Sequence, residues 1–561
     1  MGSLVESRRR HSLSASSIHL VLIFAVYTVC FGSYMLVNVP YWDDWVLIQS
    51  GADGLWNLFS QTGNRIAFFL SAPFALSAIP YTWSITNFLC WGGVACTIYQ
   101  ILRQTNWSPT EAFWAAALTA AAPFNQARFA LVMIPYSISA LFFCVAALFV
   151  VLSVRKSLIW LRLAAVFLLI VSFNIPSFLT LSWIMPLLIF YCHLDGKMGI
   201  GDIRRAVIAV FKHAEFLLLP FLYWAAKSIF MRPYGLYENY NSFTTDPVSA
   251  MQRSWYLLKM QIPDARLFFQ SKLYGIEALV VAGLVVAGVL LVLVARSPRS
   301  EWRVQFSLQP RQLLSAGWVA VLFAACLMAI FPYAIVGVTP AFWGLWETRH
   351  QATLVLFVGC LIVAVLRLAA PKPVMSVLSA GFLFYFAFLG VSASRQLLTD
   401  VMDNNLIMAS SEIAAIPDGT VVGVFERDLE YRIFNRHLQF YDASSMLNHG
   451  RGQGDLVVVS SLEDLDINTG NYPVPGSASM LERAVSICNF GVARPQYGFG
   501  GFQPNGQYAE VVVTAMKPMP GFFHALGLAL GLVFDRQGRL AANADMLDIV
   551  VATRPAPEIA C

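Results

Sequence analysis

Eleven apolar segments constrain what this chain can fold into. They lie at about 18–37, 83–102, 110–128, 131–154, 158–173, 176–194, 214–230, 275–295, 313–335, 351–370 and 374–392. About 20 apolar residues at 1.5 Å rise cross the ~30 Å hydrocarbon core of a bilayer. The expected fold class is a polytopic α-helical membrane protein with about 11 transmembrane helices. Composition agrees, because only 12% of the 561 residues are charged, about half the share usual in soluble domains. A single water-soluble core is excluded.

The first segment follows Arg8-Arg9-Arg10 and lacks the short apolar region and small-residue cleavage site of a removable leader. It reads as a signal anchor. Ser108-Pro-Thr-Glu111 has the form of a helix-start capping box with proline at the first helical position.

Orientation follows from the basic residues, which collect on the cytoplasmic side. With the N-terminus inside, the inside segments of residues 1–392 carry 17 Lys and Arg and the outside loops carry eight. One more, Lys227, falls within a span. The expectation is a multi-pass protein of the inner (plasma) membrane with its N-terminus cytoplasmic. An odd span count then places the C-terminal part outside.

Two regions are expected. Residues 1–392 form the membrane domain, with outer loops 38–82, 231–274 and 336–350 and with 26 Lys and Arg against 14 Asp and Glu. Residues 393–561 hold 11 against 18 and form an extracytoplasmic soluble α/β domain. Its β-like runs are Thr420–Phe425, Leu456–Ser460, Tyr508–Thr514, Leu532–Phe534 and Ile549–Thr553, with Asp535-Arg-Gln-Gly538 resembling a hairpin turn. The run 525–533 is apolar but too short to span. An acidic outer part argues against nucleic acid as a partner, since phosphate backbones bind basic surface. Seven of nine cysteines lie in apolar stretches, where small apolar packing is the ordinary role. Cys488 and Cys561 are the two that an oxidising compartment would allow to pair.

Three outer segments carry candidate chemistry. In Val39-Pro-Tyr-Trp-Asp-Asp-Trp45, the paired acids Asp43 and Asp44 lose hydration and repel each other at a membrane boundary. Tyr41, Trp42 and Trp45 beside them fit an interfacial belt. On a helix, neighbours point about 100° apart, so the two acids are expected to differ in role. Gln61-Thr-Gly-Asn-Arg65 supplies a permanent cation whose fork suits phosphate and which equally suits an interfacial anchor. The third segment, Thr339–Gln351, gathers Trp346, Glu347, Arg349 and His350. The loop 231–274 is long and polar enough to shape a site. Gly450–Asp455 reads as a flexible loop and Tyr497–Phe502 as a packing turn, and no Ser/His/Asp arrangement is visible.

An acidic pair in the first outer loop, with Asn64-Arg65 and Glu347-Thr-Arg-His-Gln351 downstream, resembles the GT-C type integral-membrane glycosyltransferases and their bacterial relatives. The likeness covers roughly residues 18–370, and the C-terminal domain matches no signature of the better-known members. It implies transfer of a sugar from a polyprenyl-phosphate carrier to an envelope lipid or glycan on the outer face. A carrier phosphate is already a competent leaving group, so one base suffices to deprotonate the acceptor, with inversion. The resemblance assigns that role to Asp43 or Asp44, with the other orienting it or binding acceptor. Arg65, Arg349 and His350 would bind the carrier phosphate, and Trp42, Trp45, Trp346 and Glu347 would contact sugar or acceptor. No cofactor is required, although paired acids are able to hold Mg²⁺ or Mn²⁺. The competing classes are a lipid or glycolipid flippase, which mid-span charge would favour, and a non-catalytic envelope assembly protein.

Overall fold

The computed structural model describes residues 2–77, 79–105, 107–194, 200–238, 246–260, 275–296, 311–337, 346–427, 440–452, 456–458 and 505–555. Within them, the side chains of 2–15, 200, 236, 260, 295, 296, 311–315, 346, 347, 425–427, 440–442 and 554 lie outside the description. The expected pairing of Cys488 with Cys561 and the turn at 497–502 also lie outside the described residues. The seven cysteines of the apolar stretches are all free thiols, buried or half-buried.

Each of the eleven apolar segments contains helix. Among the described residues, seven stretches are long and apolar enough to cross a membrane: Ser16–Leu36, Thr82–Arg103, Leu131–Lys156, Pro176–His193, Ile276–Val294, Ala316–Ile335 and Lys372–Met408. Gly201–Lys212 and Glu215–Phe230, bent by 40° at their junction, make an eighth. The other three give shorter helices, Pro109–Ala121, Ile159–Ser172 and Val355–Ala369. At 1.5 Å per residue these are only about 20 Å long. Pro123 stops the first and Pro371 follows the last, since proline clashes with a preceding helical turn.

Pro109–Ala121 is the central helix, buried from Glu111 to Ala121. Its capping box is present as expected. Ser108 Oγ accepts the Glu111 N–H at 3.3 Å, and Glu111 Oε2 accepts the Ser108 N–H at 2.7 Å. Alanines let a neighbour approach closely. A Cβ added to Gly359 of Val355–Ala369 would lie 2.4 Å from the Ala115 carbonyl oxygen. Small residues at such crossings are how membrane helices gain packing contact.

The helix Lys372–Met408 crosses the expected boundary at residue 392 and runs on as one 37-residue rod. Its second half is buried on all sides, polar residues Arg395, Gln396, Asp400, Asp403 and Asn405 included. Apolar residues Leu397, Leu398, Val401 and Met402 continue beyond the hydrophobic run, so the core does not end where the hydropathy does.

Among the described residues, the C-terminal part adds a four-stranded sheet of β1 (Val421–Arg427), β2 (Val457–Val458), β3 (Gln507–Ala515) and β4 (Leu547–Pro555). The order is β2-β1-β3-β4, with β1 parallel to β2 and β3, and β4 antiparallel to β3. Four of the five expected strands are therefore present. The fifth, Leu532–Phe534, instead closes a helix, Phe522–Phe534. Asp535-Arg-Gln-Gly538 is not a hairpin turn: the Asp535 carboxylate accepts the Gly538 N–H at 3.0 Å and starts the helix Arg536–Ala542. Three residues are too few to show a strand period, and Ala525, Leu528, Ala529 and Leu532 share one buried helical face.

Candidate active site at the Asp43–Asp44 turn

After the first span the chain turns sharply at Trp42, whose φ is +50°. A left-handed conformation costs a side-chain-bearing residue about 1–2 kcal/mol. Burial of the Trp42 ring, 5.6 Å from Tyr41 and 5.6 Å from Phe129, offsets that cost. The reversal starts a short helix, Asp44–Gln49, and points its first carboxylate inward.

Asp44 is fully buried and accepts three backbone N–H groups. These come from Tyr41 at 3.2 Å, Leu131 at 2.9 Å and Val132 at 2.7 Å. Burial pushes its carboxyl up to about 7, the three N–H donors pull it down, and the neighbouring Asp43 charge adds to the rise. Asp43 is only half-buried. The two acids thus face different environments, Asp44 opening the helix and Asp43 preceding it.

The segment held by Asp44 leads back to a second left-handed residue, Asn125, with φ +53°. Arg128 is buried there and donates to the carbonyls of Ala122 (3.1 Å), Phe124 (2.6 Å) and Asn125 (3.0 Å). Its guanidinium lies 4.0 Å from the Phe31 ring centre. It ties together main-chain carbonyls of the turn that follows Pro109–Ala121. In the sequence Arg128 counts only as a loop cation, and no local pattern marks it as a clamp.

The far side of the same segment holds the third motif. Ala127 N–H donates to Thr348 Oγ1 at 3.1 Å. The short helix Trp346–Gln351 presents His350, buried with its ring 4.6 Å from Tyr333, and Arg349, half-buried. The Trp346 and Glu347 side chains lie outside the described residues. Residues 125–132 therefore carry the acid turn on one side and the Arg349–His350 turn on the other.

Arg65 is exposed, 5.9 Å over the Trp56 ring. Lys227 also reaches this turn, its Nζ donating to Asn64 Oδ1 at 2.6 Å. Gly63, with φ +67°, allows the contact, since a Cβ there would meet the Met231 carbonyl at 2.3 Å. Tyr234 N–H donates to the Gln61 carbonyl at 3.0 Å, tying loop 231–238 to the turn. A lone lysine in an apolar stretch was the available signal for Lys227.

The C-terminal part covers this end of the bundle. Trp45 is buried, its ring 5.3 Å from His449 in the helix Phe440–Gly450. Ser445 Oγ donates to Gln49 Oε1 at 2.9 Å, and Asn405 Nδ2 donates to Asn38 Oδ1 at 3.1 Å. The Trp42 and Trp45 rings are thus packed within protein. Gly450-Arg-Gly is no loose loop at its start, since it ends a helix and Arg451 donates to the Ile416 carbonyl (2.6 Å) and Asp418 (2.8 Å). Among the described residues no group of three or more His, Cys, Asp or Glu is arranged to hold a metal ion.

Chemically, a half-buried carboxylate on a rigid turn can take a proton from a hydroxyl. A guanidinium and an imidazole on the same supporting segment can stabilise a departing anion.

No family model matches the chain, and no curated protein is matched. Among solved structures, the chain is similar to ArnT from Cupriavidus metallidurans, solved bound to undecaprenyl phosphate, at 13% identity over 90% of this chain and 94% of that one, with a TM-score of 0.33.

Proposed function

We propose that this protein is a membrane glycosyltransferase that moves a sugar from a polyprenyl-phosphate carrier to an envelope lipid or glycan at the Asp43 end of the bundle. The observation that carries the reading is the split between the paired acids. Asp44 is locked inside by three N–H donors, which leaves Asp43 beside it as the carboxylate within reach of an acceptor hydroxyl. Asp43 is the general base, the sugar is transferred with inversion, and Asp44 positions the turn. Arg349 and His350 face the carrier phosphate, with Lys227 as the cation at the Asn64 turn. Arg65, exposed beside Trp56, suits a phosphate approached from the lipid side.

The placement of cations supports an extracytoplasmic site. Arg103, Arg162 and Arg367 lie at the opposite end of the bundle, Arg162 with Glu215 at 2.6 Å and Arg367 with Glu111 at 3.5 Å. The segments on that side carry 17 Lys and Arg of residues 1–392 against eight in the loops on the Asp43 side, and since cations favour the cytoplasmic side, the count supports reading the Asp43 end as the outer one.

Mass spectrometry of envelope lipids and glycans, from cells with and without the protein, tests the reading. The expected result is loss of one sugar-bearing species, restored by the native chain and not by Asp43→Asn made at the same level. Full restoration by Asp43→Asn removes the proposed base. If reconstituted vesicles instead move an intact labelled lipid across the bilayer without transfer, the protein is a flippase.

A further inference from the structure

The helix Phe522–Phe534 has the sequence FFHALGLALGLVF, without one Asp, Glu, Lys or Arg. At 13 residues it is about 20 Å long, too short to span a bilayer. Two charged residues from membrane helices fix its start. Glu277, the second residue of Ile276–Arg296, accepts the Phe523 N–H at 3.0 Å. Arg395 of Lys372–Met408 donates to the Pro520 carbonyl at 2.6 Å and the Met519 carbonyl at 3.0 Å. The clamp leaves no room at Gly521, where a Cβ would lie 2.6 Å from a Glu277 carboxylate oxygen.

One face of the helix is buried: Ala525 and Ala529 pack with Leu398 and Leu36. The opposite face exposes Phe523, Gly527, Leu530, Val533 and Phe534, the last 84% exposed, with His524 exposed beside them. Water would solvate this stripe poorly. Next to it, on the helix that supplies Glu277, Ile276 is 77% exposed and Val280 and Leu284 are exposed as well. That span is apolar throughout its crossing, so its exposed face meets acyl chains. The apolar surface is therefore continuous from a lipid-facing span onto a helix of the C-terminal part. It stops at Asp535-Arg536, where charge returns.

We propose that Phe522–Phe534 lies in the lipid leaflet on the Asp43 side, with Phe523, Leu530, Val533 and Phe534 among the acyl chains, and so anchors the C-terminal sheet to the membrane surface. Helices of this kind, with an apolar face set into the headgroup–acyl boundary, bind in proportion to the apolar area they bury. The anchoring is independent of any transfer activity.

The test uses the full chain in vesicles of phosphatidylethanolamine and phosphatidylglycerol. A nitroxide is attached at Phe534→Cys, with the labelled unsubstituted protein subtracted as blank. Collision with dissolved O₂, which partitions into lipid, is compared with collision with a water-soluble nickel chelate. O₂ should dominate at Phe534→Cys, and the order should reverse at Gln537→Cys on the next helix. Leu530→Cys repeats the reading from a second site on the stripe. Dominance of the nickel chelate at 530 and 534 would place the stripe in water and overturn the proposal. Protection from both colliders would show it covered by protein, a second copy included, and would overturn it equally.

Discussion

Asp44 Oδ1 accepts the Val132 N–H at 2.7 Å, joining positions 88 residues apart in the chain. With Leu131 and Tyr41 on Oδ2, the bond fixes the start of the helix Ile134–Lys156 against the acid turn. An unsatisfied buried N–H costs about 1–3 kcal/mol. Asp44→Ala strands three of them, so it should lower the thermal midpoint in detergent strongly. Asp43→Asn should leave that midpoint unchanged while transfer falls by about 10²–10⁴, the usual worth of a general base. Equal thermal losses for the two variants would contradict the division of roles.

The same carboxylate gives stability a pH dependence. Its folded value, about 7, lies above the ordinary value of 3.8, so between the two the folded state binds the extra proton. Stability then falls as pH rises from about 4 to about 7 and is flat above that. The gap corresponds to about 4 kcal/mol. Asp44→Asn does not titrate and should remove this slope. Thermal midpoints of native and variant protein across pH 4–8 check it, and parallel curves would refute it.

Arg128 should not tolerate lysine. Its guanidinium reaches three carbonyls at once, a fork geometry that a single ammonium does not reproduce. Arg128→Lys and Arg128→Met should both lower the thermal midpoint, the methionine more, because it also leaves the carbonyls without a donor. Retention of the native midpoint by Arg128→Lys would reduce the clamp to a simple charge.

Tight helix crossing makes Gly359 a fixed position. A Cβ there would sit 2.4 Å from the Ala115 carbonyl and 2.6 Å from the Thr119 nitrogen, both main-chain atoms of the central helix. Gly359→Val should therefore separate the helices and cost more than the same change at Gly381, where a Cβ meets open space. Overpacking of this kind costs typically about 1–3 kcal/mol. Membrane expression and thermal midpoints of the pair measure the difference.

Hydropathy made the helices legible, because one residue property over some 20 positions decides whether a segment enters lipid. It also marked Asp43 and Asp44, since adjacent acids beside a span demand compensation. It did not reveal what compensates Asp44: donors at 131 and 132 are main-chain groups, which carry no residue signature. Arg128 was hidden for the same reason, as its acceptors are carbonyls. The boundary drawn at residue 392 missed the helix that continues to Met408, because buried polar residues such as Asp400 and Asn405 look solvent-facing in a sequence. Leu532–Phe534 looked like a strand only because its helical period needs the preceding ten residues to show.

Lys227 offers the sharpest test of where the carrier phosphate sits. The side chain reaches Asn64 from a bent helix pair whose neighbouring residues Trp224 and Phe230 are exposed, so its charge lies at the boundary between protein and lipid. A lysine that merely snorkels is worth little to catalysis, since its head goes to water wherever water is near. A lysine that neutralises a carrier phosphate should matter through its charge. Lys227→Gln keeps a donor for Asn64 and removes the charge, whereas Lys227→Arg keeps both. If Lys227 meets the phosphate, the glutamine variant should raise the carrier concentration needed for half-maximal transfer and the arginine variant should largely restore it. The thermal midpoint should stay level in both. Unchanged carrier dependence in Lys227→Gln would leave Arg349 and His350 as the phosphate side of the site and Lys227 as an anchor alone.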